Sequence, residues 1–195
     1  MRKKSHISLA RYIVANTTDE ELKKHWLSFY IGSVLPDCKP SFLYKRHEIT
    51  ETFPQVSRRI EHLIRGKKSR FPKRKRKYYM NLGEITHYVA DYFTYPHNLI
   101  YPGGLRDHCK YENHLKHELR RFLKTDEAKK LTGQKYEQFA SLEALYDYIK
   151  QMHETYLRSQ LNVGQDIRSI VQVNQRLVDG IAYLFHKNRM QRRMV

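Results

Sequence analysis

Gly83-Glu84-Ile85-Thr86-His87-Tyr88-Val89-Ala90-Asp91-Tyr92 is the stretch on which the reading of this chain turns. Its apolar residues recur at helical spacing, which predicts a helix over 78–94 with Leu82, Ile85, Val89 and Phe93 turned inward. His87 and Asp91 are four residues apart and therefore share a face of that helix. On so apolar a helix, an unpaired imidazole and carboxylate are costly to bury, and a metal ion held between them removes the cost.

Moving outward, the helix is followed at once by Tyr95, Pro96, His97 and Asn98, and then by His108 and Glu112, again four apart. The order His-x-x-x-Asp, Pro-His, His-x-x-x-Glu is more specific than either pair alone. Two further pairs have the same spacing, His47 with Glu51 and His114 with Glu118. The second sits among Lys116, His117, Arg120 and Arg121 and reads as a surface contact. His25, His62, His153 and His186 lack acidic or Pro-His context and read as ordinary histidines. Cys38 and Cys109 adjoin Asp37 and His108, but neighbours on a helix diverge, so both are expected as ordinary buried cysteines.

Helical periodicity extends over nearly the whole chain. It appears at 7–16, at 19–34 with Thr18 or Asp19 as cap, at 48–64, at 106–123, and in two longer segments near 141–160 and 165–188. Pro36 stops the second run, and 36–46 reads as an ordered loop. Nine of the thirteen residues 65–77 are Lys or Arg, which predicts a basic loop there. Nothing reads as β-alternation, internal repeat or linker. The expectation is an all-α fold, a single-domain multi-helix bundle over 1–195, with the last two helices as scaffold.

Composition sets bounds on function. The 195 residues carry 37 Lys+Arg against 20 Asp+Glu, a net charge of +17, and 40% are hydrophobic. That apolar share supports a core and excludes a wholly disordered chain, while 8 Gly and 6 Pro exclude collagen-like classes. Two Cys cannot build a disulfide scaffold. No apolar run reaches the roughly 18 residues of a membrane span. The basic start, Met1 to Lys4, is followed by an apolar stretch that His6 and Arg11 interrupt, without a cleavage site, so a soluble cytoplasmic chain is expected. The surplus charge calls for an anionic partner, with the basic loop and its neighbours Phe71, Tyr78 and Tyr79 suited to an anionic membrane surface or to stacked bases.

These motifs resemble the zinc-dependent phospholipase C family, which includes bacterial phosphatidylcholine-cleaving enzymes and the catalytic domain of clostridial alpha-toxin. The single-strand-specific zinc nucleases are more distant relatives. The matching elements run from residue 5 to about 120. Gly32-Ser-Val-Leu-Pro-Asp37 resembles the family's element with a metal-binding aspartate, and His47 matches the histidine after it. His87 and Asp91 match the family's His-Tyr-x-Gly-Asp core, with Ala90 where Gly is usual. The resemblance implies two to three zinc ions. One would be held by Asp37, His47, His87 and Asp91, a second by His97, His108 and Glu112, and a third by His6 with Asp91 as bridge. It also implies that Asp37 ligates or acts as general base on the attacking water.

The chain departs from the family at its start. Secreted members begin with a processed Trp whose amine and carbonyl complete the third site, whereas Met1 to Ser5 precede His6 here. No free amine is expected beside His6, and the Ser5 carbonyl is the expected substitute. Glu84 and Asp107 are candidates to hold the outer imidazole nitrogens, with Glu84 more in keeping with a solvated helix residue. The functional expectation is a zinc-dependent phosphodiester hydrolase acting on a phospholipid or related phosphodiester. Its rivals are a zinc nuclease for single-stranded nucleic acid and a non-catalytic nucleic-acid-binding module.

Overall fold

The computed structural model describes residues 1–38, 47–66, 72–134 and 136–192. Among these it is all-α, without a strand. In chain order the helices are α1 (Lys3–Asn16), α2 (Glu20–Lys24), α3 (Trp26–Val34), α4 (Ile49–Arg65), α5 (Pro72–Tyr92), α6 (Leu105–Phe122), α7 (Asp126–Thr132), α8 (Leu142–Leu157) and α9 (Val163–Gln191). Short 3-10 turns at Pro36–Cys38 and Tyr95–His97 follow α3 and α5.

Local chemistry sets most of these boundaries. Asp19 caps α2 by accepting from the amides of Glu21 and Leu22. Thr125, Ser141 and Asn162 do the same for α7, α8 and α9 through Ala128, Ala144 and Gln165. The expected single helix over 19–34 is in fact two. His25 leaves helical geometry at φ −110° and ψ 23°, and its ring Nδ1 lies 2.9 Å from the Glu21 carbonyl. Helix α7 is an addition to the expected set, because its seven mostly polar residues offer little periodicity.

The basic run is not one loop. Arg65 ends α4 and residues 73–77 lie in the first turns of α5, since Pro72 opens that helix where a missing N–H costs nothing. Residues 67–71, with Phe71, lie outside the described residues, as do 39–46 of the expected ordered loop.

Helices α5 and α9 form the interior. Helix α5 packs against α3, α4 and α9, and α9 also meets α6, α7 and α8. Tyr79, Tyr92, Tyr156, Phe29 and Phe93 are the largest side chains in the closed core. Helices α3 and α5 approach most closely, at two glycines. A Cβ on Gly32 would lie 2.0 Å from the Met80 carbonyl oxygen, and one on Gly83 2.2 Å from that of Phe29. Backbone thus rests on backbone, and the C-terminal end of α3, with Ser33 and the turn bearing Asp37, is brought against the His87 side of α5.

Candidate metal centre

Six separate segments deliver donor atoms to one buried region. Helix α1 supplies His6, the turn after α3 supplies Asp37, and His47 comes from just before α4. Helix α5 supplies His87 and Asp91, the turn after α5 supplies His97, and α6 supplies His108 and Glu112. These donors fall into three groups able to hold a cation. They are Asp37, His47 and His87; His97, His108 and Glu112; and His6, His87 and Asp91, each with its ligand atoms within 4.8 Å of one another.

Asp91 joins two of the groups. Its Oδ2 lies 2.9 Å from His47 Nδ1 and 3.2 Å from His87 Nε2, while its Oδ1 faces His6 Nε2 at 3.4 Å. His87 Nε2 is also 3.1 Å from His47 Nδ1 and 3.5 Å from Asp37 Oδ1. On the other side, Glu112 Oε1 lies 3.0 Å from His97 Nε2 and 3.2 Å from His108 Nε2.

His87 is oriented by what holds its far side. The Nδ1–H of His87 donates to the Ser33 carbonyl at 2.9 Å, which fixes the tautomer and leaves Nε2 bare toward the cluster. His6 is fully buried, its ring stacked on His87 at 3.8 Å, and neither of its nitrogens has a hydrogen bond among the described residues. An orphaned imidazole against a carboxylate is what a site built for a cation requires. Donor type agrees, since imidazole and carboxylate in threes and fours suit zinc.

The electrostatics point the same way. Burial favours the neutral form of Asp91, yet the Met1 amine and the imidazoles of His97, His87 and His6 outweigh it and hold the carboxyl well below the usual range. For Glu112 burial is likewise outweighed, by the amine, His108 and His97. Burial and then His87 bring the His6 imidazole down to about 3, and burial and then the amine lower His97. Burial raises Asp37, against the attraction of His87.

Several expectations need correction. A free amine does lie beside His6. The Met1 amine donates to Asp91 Oδ1 at 2.5 Å, and lies 2.9 Å from His97 Nε2 and 3.1 Å from Glu112 Oε1. Ser5 lies within α1, so its carbonyl runs along the helix and does not serve as the substitute donor. His47 and Glu51 are not a helical pair, because α4 starts at Ile49; His47 faces Asp91 while Glu51 is exposed. Glu84 is buried, not solvated, and pairs with Arg59 at 3.1 Å. Asp107 is exposed, and the far-side partner found for His87 is a backbone carbonyl. Both Cys38 and Cys109 are exposed, since each ligand's neighbour points away from the cluster. His114 is exposed, but Glu118 pairs with Arg121, so the expected His114–Glu118 contact is absent among the described residues.

The final helix is more than scaffold. Asp166 on α9 is fully buried and accepts from the Tyr95 amide at 2.9 Å, the Tyr111 hydroxyl at 2.9 Å and the Tyr156 hydroxyl at 2.7 Å. Tyr95 begins the turn that carries His97, and Tyr111 precedes Glu112. One carboxylate thereby ties two ligand-bearing segments to α9. His153, read as ordinary, is buried and its Nε2 lies 2.8 Å from Asn98 Oδ1, next to the same turn.

A cavity of about 440 Å³ opens beside the cluster, lined by His47, His97, His108, Leu99, Tyr101 and Leu105 among others. Of the residues lining it, Leu99 and Leu105 are 70% and 80% exposed.

Comparison with known proteins adds one finding. Residues 5–163 match a family described as zinc dependent phospholipase C. Searches of curated proteins and of solved structures give no significant match.

Proposed function

The chain belongs to the zinc-dependent phospholipase C family, and from that premise we propose that it hydrolyses the phosphodiester of a phospholipid on the glycerol side. The observation that carries this reading is the convergence of His6, Asp37, His47, His87, Asp91, His97, His108 and Glu112 on one cluster beside an open cavity. Two groups would hold one zinc each, through Asp37, His47, His87 and Asp91, and through His97, His108 and Glu112. His6 with Asp91 would hold a third ion.

Zinc held there supplies Lewis acidity and draws the pKa of a nearby water toward neutrality. The protein's own groups do the rest. Asp91 would bridge the first ion and the third by turning Oδ2 toward His47 and His87 and Oδ1 toward His6. Asp37, raised by burial, would either complete the first ligand set or take a proton from the attacking water. Ser33, through its carbonyl, keeps the His87 proton on Nδ1. His97 and His108 line the cavity, where the substrate's phosphate would be received.

The apolar mouth favours lipid over nucleic acid as substrate. Leu99 and Leu105 line the opening, where a lipid's glycerol and acyl chains can rest on aliphatic surface. Among the described residues no helix is long and apolar enough to cross a membrane. A cytoplasmic setting is part of the proposal, and the two free, exposed cysteines suit a reducing compartment.

The test is metal analysis of the purified protein together with hydrolysis of a chromogenic phosphodiester. Two to three zinc ions per chain are expected, with activity lost on chelation and restored by zinc. Turnover that survives full removal of metal refutes the reading. Release of nucleotides from single-stranded DNA, with no cleavage of phospholipid, transfers it to the nuclease alternative.

A further inference from the structure

A groove of about 660 Å³ runs between α1 and α6, away from the metal ligands. Lys3, Lys4, Arg11, Arg120 and Lys124 line it, and Ile7, Tyr12 and Leu123 give it an apolar floor. Among the described residues, no carboxylate lies within ion-pair distance of these five cations. Arg120 reaches across the seam to Ser8, 3.4 Å from its hydroxyl. Lys116, one turn back on α6, is held below the ordinary lysine value by loss of solvent and then by the charges of Arg2, Arg120 and Lys4. The cations of both helices therefore share one field. Such crowding destabilises a protein unless an anion answers it.

The opposite flank of α1 is of another kind. Helix α1 lies between α6 and α3, and α3 shows solvent Trp26, Leu27 and Ile31, at 47%, 56% and 46% exposure. Trp26 meets the ring of Tyr30 edge-on at 5.1 Å. Tyr30 in turn lies near enough to Arg11 for that charge to oppose the burial that raises its phenol. The basic groove and the apolar stripe thus adjoin through α1, which lines the groove with Arg11 and packs against α3. Exposed apolar side chains in a cluster mark an interaction surface, and a Trp and Tyr beside aliphatics and cations are the side chains of a membrane interface.

We propose that the outer faces of α1, α3 and α6 dock on an anionic phospholipid bilayer, with lipid phosphates in the α1–α6 groove and Trp26, Leu27 and Ile31 at the boundary of headgroups and acyl chains. The aliphatic half of the face favours a bilayer over nucleic acid, because acyl chains would take Leu27 and Ile31 out of water while bases stacked on Trp26 would leave them exposed. This surface goes beyond the phosphodiesterase reading and stands apart from the metal cluster. It also differs from the basic run of 65–77, on which charge alone places the anionic contact.

Trp26 is the sole tryptophan of the chain, so its emission reports on this face directly. The zinc-loaded protein is mixed with phosphatidylcholine vesicles with and without phosphatidylglycerol, and binding is read by flotation. We expect binding only to the anionic vesicles, a blue shift of Trp26 emission on binding, and quenching by brominated lipid. Lys4→Glu with Arg11→Glu and Lys124→Glu should weaken binding at least about tenfold, as should Leu27→Ser with Ile31→Ser. Lys73→Glu with Lys77→Glu should leave it unchanged.

Absence of binding, equal binding to both vesicles, or bound protein with unshifted Trp26 emission overturns the proposal. So does loss of binding in the Lys73 and Lys77 variant alone, or a triple variant that loses a single-stranded oligonucleotide while keeping vesicles. Hydrolysis of a soluble chromogenic phosphodiester is scored in parallel. Binding without turnover removes the proposed activity and leaves the docking face standing; turnover without binding does the reverse.

Discussion

Asp91 Oδ2 and His47 Nδ1 lie 2.9 Å apart, although 44 residues separate them in the chain. Two of the three groups meet at that carboxylate, whose other oxygen faces His6, and the Met1 amine lies between it and the third. Asp91→Asn keeps the shape and removes the charge. It should lower zinc content by at least one ion per chain and phosphodiesterase activity by more than about a hundredfold, with the circular dichroism of the helices retained. Metal analysis and initial rates on the same preparation check this; full zinc content in the variant refutes the bridging role.

The glycine contact between α3 and α5 predicts a remote effect on the same chemistry. Gly83→Ala adds a methyl group where the Phe29 carbonyl already stands, and should cost about 2–3 kcal/mol of stability. Because Ser33 holds His87 across this contact, zinc affinity should fall as well. Denaturant unfolding of the chelated protein and zinc titration measure the two effects separately. An unchanged zinc affinity in a destabilised variant shows that the contact supports the fold alone.

Asp166 should act on the centre through the segments it ties down. Asp166→Ala leaves the Tyr95 amide and the hydroxyls of Tyr111 and Tyr156 without their acceptor, at a cost of about 2–3 kcal/mol. The group of His97, His108 and Glu112 should lose zinc before the group of Asp37, His47 and His87 does. Stepwise chelation followed by metal analysis tests the order; simultaneous loss from both groups counts against a positioning role.

The imidazole of His6, brought down to about 3, gives a pH prediction for the metal-free protein. An unfolded histidine titrates near 6.5, so the folded state binds fewer protons between the two values. The stability tied to His6 is therefore fully present above about 6.5 and is lost as pH falls toward 3. His6→Gln should flatten that part of the curve in thermal unfolding of the chelated chain. A slope identical to that of the unaltered chain assigns the acid sensitivity to other groups.

Periodicity exposed the helices that carry the centre, because a helix writes its buried face into the spacing of its letters. The pairs His87 with Asp91 and His108 with Glu112 were legible for the same reason. His47 was legible through the family resemblance and not through its spacing to Glu51, since no helix joins those two residues. Other parts left no mark. The acceptor for His87 is the carbonyl of Ser33, and main chain has no letter of its own. Asp166 gathers Tyr95, Tyr111 and Tyr156 from three segments, and no local pattern relates them. Gly32 and Gly83 read as weak points within helices until the two backbones are seen to touch.

The donors come from segments that begin at His6 and end at Glu112, with long stretches of chain between them. A cation gripped at that crossing would act as a staple, closing several large loops at once and removing much of the freedom of the unfolded chain. Zinc supply would then govern how long the polypeptide survives proteases as well as whether it turns over substrate.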